Sequence, residues 1–238
     1  AGISLGWIYA IKIIQFTKIN KFKFKPIEKE KFDDFLLYLV LGIVVGGRLG
    51  YVVFYNFNYY SQNLSEIIKL WEGGMSFHGG LIGVIVSIII FSKAKKEYFF
   101  KIADIVACVS PIGIFFGRIA NFINGELYGK FSTLPWAVVF PNGGNLARHP
   151  SQIYEALLEG FLLFVLINYF ALRKNLLFKT GYISGIFLIL YSVLRMVSEI
   201  FREADQHIGY FFNYFSMGTL LSFATLAVGI IICISSKK

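Results

Sequence analysis

The sequence predicts an all-α, polytopic membrane protein with seven transmembrane helices, and three observations carry that expectation. Hydrophobic residues make up 56% of the 238 and charged ones only 16%, whereas a soluble domain carries about 25% charged residues. The apolar residues gather into stretches close to the ~20 residues that one helical crossing of a bilayer requires. Short basic loops separate those stretches.

In chain order the spans cover roughly 1–16, 35–55, 75–92, 102–123, 153–171, 181–200 and 211–235, in a single integral membrane domain over 1–238. The first span is slightly short, and no cleavable signal peptide is expected in it. The loop 17–34 holds Lys18, Lys21, Lys23, Lys25, Lys29 and Lys31, and the loop near 93–101 holds Lys93, Lys95, Lys96 and Lys101. With Arg173, Lys174, Lys179, Lys237 and Lys238 these put fifteen of the 23 basic residues on one side, against Lys69, Lys130, Arg148 and Arg202 on the other. Short loops rich in Lys and Arg stay in the cytoplasm, so the N-terminus is expected outside and the C-terminus in the cytoplasm. The first outer loop, 56–74, carries Tyr59, Tyr60, Leu64, Ile67, Ile68 and Trp71, a composition suited to the headgroup zone.

The net charge of +9 does not point to nucleic acid, because the basic residues form short clusters between apolar spans and no basic face. Cys108 and Cys233 lie in apolar runs without partner spacing, and His78, His149 and His207 are scattered singly. Neither a metal nor a cofactor is expected.

The informative polar residues are those inside the spans. A charge at the bilayer centre costs about 2.5–3.5 kcal/mol on insertion scales. Lys12, near a span end, can snorkel. On the orientation above, Arg48, His78, Arg118 with Asn121, Asn124 and Glu126, and Arg195 with Glu199 and Arg202 all reach the outer leaflet, as do Arg148, His149, Gln152 and Glu155. The inner half receives only Asp104 and Lys12. Arg195, Glu199 and Arg202 share one helix stripe by their spacing, as do Arg118, Asn121 and Gly125. A purely structural account pairs Glu199 with a neighbouring arginine, or Glu155 with Arg48, to make burial tolerable. The one-sided crowding of the whole set favours a site. The glycine runs "GGMSFHGG", "GGRLGY" and "GELYG" suit close helix packing or, around His78 at a helix start, an anion.

The run Gly117, Arg118, Asn121, Phe122, Asn124, Glu126 and Gly129 resembles the signature of the bacterial prolipoprotein diacylglyceryl transferases. "WEGGMSFHGGLIG", "GGRLGYVVFYN", "RHPSQIYEALLEG", "EIFREADQ" and "SMGTLLS" are similar to further blocks of that family, in the same order. The resemblance implies a seven-helix enzyme of the bacterial cytoplasmic membrane with its site facing outward. Its partners would be phosphatidylglycerol, the lipid bilayer, and preprolipoprotein signal peptides carrying a lipobox cysteine. It would transfer the diacylglyceryl group of phosphatidylglycerol to the cysteine thiol, forming a thioether and releasing glycerol 1-phosphate. Carried over by position, the family's functional groups fall on His78, Arg118, Asn121, Glu126, Gly129 and Arg195, with Glu199 and Arg202 close by. The chain departs from the pattern at Ala204, where a proline is usual, at Leu5, where a tyrosine is common, and in a shorter loop before "RHPSQ".

That chemistry assigns roles. Arg118 and Arg195 clamp the phosphate, since guanidinium groups stay ionised and offer forked donors. Arg48 and Arg202 add field or lipid-access contacts. His78 is the candidate base for the thiol. Asn121, Asn124 and Glu126 orient the glycerol or the arginines, and Gly129 and Glu199 complete the substrate contacts. A transporter for an anionic metabolite would place polar groups in both halves of the membrane. A non-catalytic lipid-binding scaffold would have no use for a base beside the phosphate.

Overall fold

A computed structural model of the chain describes residues 1–19, 27–203, 210–211 and 215–236. Lys21, Lys23, Lys25, Ala204, His207, Lys237 and Lys238, which entered the sequence reading, lie outside the described residues. Helices dominate: α1 (Gly2–Ile19), α2 (Lys29–Tyr55), α3 (Phe57–Gln62), α4 (Phe77–Lys95), α5 (Phe99–Ile123), α6 (Ser151–Arg173), α7 (Tyr182–Glu199) and α8 (Met217–Ser235). The strands among the described residues are β1 (Tyr210–Phe211) and β2 (Phe215–Ser216), a two-residue antiparallel ladder. Among the described residues six helices are long and apolar enough to cross a membrane: α2, α4, α5, α6, α7 and α8. The chain is thus a multi-pass membrane protein by length and composition. α1 spans 18 residues but carries Lys12 and Lys18 and falls short of that measure.

The described residues form two compact units, one built on α2, α3 and α4, the other on α1, α6, α7, α8 and most of α5. In the α2–α4 unit the helices meet along glycines four residues apart. A Cβ at Gly46 would fall on the Gly79 carbonyl oxygen, and one at Gly50 on the Gly79 Cα. Lipid tails are as apolar as leucine, so close backbone approach must supply the attraction between such helices. Gly79, beside His78, therefore serves packing. Ser87 Oγ donates to the Tyr38 carbonyl (2.7 Å) and locks the same seam.

In the other unit, Asp104 of α5 caps a different helix. Its carboxylate, fully buried, accepts from Gly181 N (2.6 Å), Ser184 N (2.8 Å) and Ser184 Oγ (2.6 Å) at the start of α7. Orphan amide donors and the positive end of the helix dipole both favour an anion there. Tyr9 of α1 donates to Asn168 Oδ1 of α6 (3.2 Å), and Asn168 Nδ2 donates to the Cys108 carbonyl of α5 (3.0 Å). The helix α6 contains two π-helical stretches, Ala156–Leu162 and Tyr169–Arg173.

Candidate active site

Within the second of these units, the chain direction of each helix brings polar groups to one end. Arg118 sits near the C-terminal end of α5, Glu155 and Glu159 in the first turns of α6, Arg195, Ser198 and Glu199 at the end of α7 with Arg202 just beyond, and Ser216 at the N-cap of α8. Gln152, Glu155 and Glu159 follow i, i+3, i+7 spacing and share one face of α6; all three are fully buried.

These side chains form one ion network. Glu155 Oε2 lies 2.9 Å from Arg118 Nε and 3.2 Å from Arg195 Nη1, and Glu155 Oε1 lies 3.5 Å from Arg202 Nη1. Glu159 meets Arg118 Nη2 at 3.1 Å and Arg195 Nη1 at 3.2 Å, and accepts from Ser198 Oγ at 2.8 Å. Arg195 Nη2 approaches Glu199 Oε2 to 2.6 Å, and Ser216 Oγ donates to Glu199 Oε1 (2.7 Å). Three guanidiniums thus face three carboxylates, a formally neutral set. Removing one member of such a buried pair leaves an uncompensated charge, at a cost of about 3–5 kcal/mol.

Beside the network lies the turn after α5. Asn121 Nδ2 and Asn124 Nδ2 each donate to Glu126 Oε1 at 3.1 Å. Gly125 (φ +66°) and Leu127 (φ +58°) both lie in the left-handed region. For leucine that conformation is strained, and it persists only where the surroundings over-determine it. Here α6 does so: Gln152 Nε2 donates to the Glu126 carbonyl (2.7 Å) and Ser151 Oγ to that of Leu127 (3.1 Å). Gly129 bridges to Arg202 and donates to the His149 carbonyl (3.0 Å); a Cβ there would strike the Phe201 carbonyl and His149. Arg148 holds the following loop, donating to the Gly143 carbonyl (2.9 Å), pairing with Glu203 (3.2 Å) and lying 4.0 Å from the Phe131 ring centroid.

The remaining two expected site residues belong to the α2–α4 unit. His78 is exposed in the first turn of α4. Arg48, expected at a lipid headgroup, is almost fully buried and spends its donors on backbone carbonyls instead: Ile67 (2.8 Å), Glu66 (2.7 Å), Lys69 (3.0 Å), Gly74 (3.2 Å) and Gly73. It also lies 5.1 Å from the Tyr60 ring centroid. The physical reason is local. The 3₁₀ turns Leu64–Ile68 and Leu70–Glu72 leave carbonyls without helical partners, and a forked cation satisfies several at once. The pairing of Glu155 with Arg48 is corrected accordingly, because Glu155 is held by Arg118, Arg195 and Arg202. The pairing of Glu199 with a neighbouring arginine is observed.

The family model described as prolipoprotein diacylglyceryl transferase matches residues 1–235. The chain belongs to that family. It is 49% identical over 231 residues, 97% of this chain and 82% of the relative, to the phosphatidylglycerol–prolipoprotein diacylglyceryl transferase of Rhizobium meliloti (strain 1021). It is 48% identical to the proteins of that name from Rickettsia bellii (strain OSU 85-389), over 99% of this chain and 88% of the relative, and Rickettsia felis (strain ATCC VR-1525 / URRWXCal2), over 100% and 90%. For a prolipoprotein diacylglyceryl transferase the ion network adds groups that the sequence reading passed over: Glu159, Ser198 and Ser216. Glu159 carried a usable signal, an acid four residues after Glu155 inside an apolar span. Ser198 and Ser216 carried none, since an isolated serine in a membrane helix most often bonds its own backbone.

Proposed function

We propose that this chain transfers the diacylglyceryl group of phosphatidylglycerol to the lipobox cysteine thiol of preprolipoproteins, forming a thioether and releasing glycerol 1-phosphate. The observation that carries the reading is the convergence of Arg118 and Arg195 on a single oxygen, Glu155 Oε2. Two guanidiniums drawn that close can serve one phosphate. Breaking the bond between the glyceryl carbon and the phosphate oxygen turns a singly charged phosphodiester into a doubly charged monoester. One extra negative charge therefore develops at the leaving oxygen, and fixed positive donors lower its energy.

The carboxylates aim the arginines and hold them charged, while two donors stay uncommitted. Among the described residues neither Arg118 Nη1 nor Arg195 Nε makes a hydrogen bond or ion pair. We assign these two donors to the phosphate, and Arg202, through Glu155, to positioning. Asn121, Asn124 and Glu126 form the wall that orients the glycerol headgroup, Gly129 lets that wall approach Arg202, and Glu199 fixes Arg195. His78 is our candidate base for the thiol proton. Arg48 we assign to holding the 63–76 loop. In this reading the chain is one integral membrane domain of the bacterial cytoplasmic membrane, α1 is a seventh crossing, the N-terminus and the site face outward, and the C-terminus lies in the cytoplasm.

The test is mass spectrometry of a lipobox peptide incubated with phosphatidylglycerol and the purified protein. A gain of one diacylglyceryl group on the cysteine is expected, with one glycerol 1-phosphate released per peptide. An unmodified peptide under conditions where the protein is folded would refute the assignment.

A further inference from the structure

The unit that carries the ion network also holds a cavity of about 690 Å³ at the far end of α6. Tyr9, Lys12 and Phe16 of α1 line it, with Leu172 and Arg173 closing α6 and Asn175 just beyond. Arg173 follows Glu159 by fourteen residues (173 minus 159), roughly 20 Å along the helix at ~1.5 Å per residue. This is a separate place from the arginine cluster.

Three features of the lining point to one kind of occupant. Lys12 and Arg173 both face the cavity region, and among the described residues neither has a carboxylate within ion-pair distance. Between cations without acids an anion is favoured, and basic clefts between membrane helices take anionic lipid headgroups. Asn175, held at φ +55°, has a buried Oδ1 that accepts no hydrogen bond among the described residues. A buried acceptor of that kind calls for a donor. Around these polar groups Tyr9, Ile13, Phe16 and Leu172 supply the apolar wall that acyl chains would cover.

We propose that this cavity is a binding site for an anionic glycerophospholipid whose headgroup carries a hydroxyl. The phosphate lies between Lys12 and Arg173, a headgroup hydroxyl donates to Asn175 Oδ1, and the acyl chains run over α1 and α6. Phosphatidylglycerol has both the charge and the hydroxyl, phosphatidic acid lacks the headgroup glycerol, and phosphatidylcholine has neither a net charge nor a donor. A lipid held here is far from the arginine cluster and is bound without being consumed, so the proposal does not depend on the transfer reaction.

Native mass spectrometry of the full chain in detergent, titrated with dioleoyl phosphatidylglycerol, reads the site. A basic residue at an anionic surface contributes about fivefold to binding, so K12Q/R173Q is expected to weaken one lipid-binding step about 30-fold. R118A/R195A, run beside it, isolates the cavity: the step that survives this change should be the one lost in K12Q/R173Q. Unchanged binding in K12Q/R173Q, or equal binding of dioleoyl phosphatidylcholine, would overturn the proposal. Displacement of the lipid by millimolar sn-glycerol 1-phosphate would also overturn it, since the site would then serve free phosphate esters. Should K12Q/R173Q fail to fold, N175A replaces it. That variant is expected to bind phosphatidylglycerol and phosphatidic acid equally, and a retained preference for phosphatidylglycerol would count against the hydroxyl contact. Failure of the transfer reading would show instead as no change of stoichiometry in R118A/R195A.

Discussion

Arg48 and the trio Arg118, Arg195 and Arg202 are all buried or nearly so within apolar stretches, yet their surroundings differ in kind. Arg48 is ringed by the neutral carbonyls of one loop, five of them. The trio faces three carboxylates from two helices, α6 and α7. A ring of carbonyls consumes a guanidinium and fixes the loop that supplies them. A shared set of carboxylates neutralises several guanidiniums together and leaves individual N–H groups pointing elsewhere. The partner of a buried cation, more than its burial, therefore separates scaffold from candidate site.

The sharpest way to break that contrast is to remove the trio's members. R118A and R195A are each expected to lower the rate of diacylglyceryl transfer by about 10²–10³-fold, the usual consequence of losing one preorganised donor; peptide mass spectrometry against time measures it, with circular dichroism confirming the fold. Near-normal turnover by either variant would remove the phosphate clamp. E159Q keeps the shape but strips one negative charge from the set, leaving Arg118 and Arg195 undercompensated. A fall in activity of roughly tenfold to a hundredfold is expected, together with a lower thermal midpoint. H78Q should slow transfer most near neutral pH and least at high pH, where the thiol ionises unaided; an unchanged pH profile would dismiss the imidazole as base.

R48A tests the other side of the contrast. It should cost several degrees in thermal midpoint, because carbonyls of the 63–76 loop lose their donor, while the turnover of the folded fraction stays within about threefold. A large loss of turnover at unchanged stability would return Arg48 to the site. The smallest expected effect concerns Glu97, between α4 and α5. Its burial works to raise the carboxyl pKa, but the hydrogen bond and charge of Lys101, then those of Lys31, hold it below its ordinary 4.5. A depressed folded-state pKa stabilises above the unfolded value and is lost as pH falls through the folded one. Thermal midpoints of wild type and E97Q should therefore differ slightly at pH 7 and converge below about pH 4.5.

Much of this was legible in the sequence for reasons of length and cost. The six membrane-length helices among the described residues announce themselves as apolar stretches near the thickness of a bilayer, and Arg118, Arg195 and Glu199 stand out because charge inside such a stretch is expensive. What stayed hidden depends on neighbours distant along the chain. Nothing in "GGRLGY" says that Arg48 will meet carbonyls from residues 66 to 74. The spacing of Glu155 and Glu159 does not reveal that the helix turns π just there. Asp104 looks like an isolated inner-half charge until α7 supplies the amides it caps.

The hydroxyl of Ser216 reaches the network from the start of α8, the most C-terminal of the described helices. During synthesis on the ribosome, Arg195 and Glu199 emerge before that hydroxyl exists. Until α8 inserts, Glu199 lacks its serine partner. A nascent protein inserted only through α7 would accordingly leave Glu199 freer to turn away from Arg195, while Glu155 and Glu159 already hold that arginine.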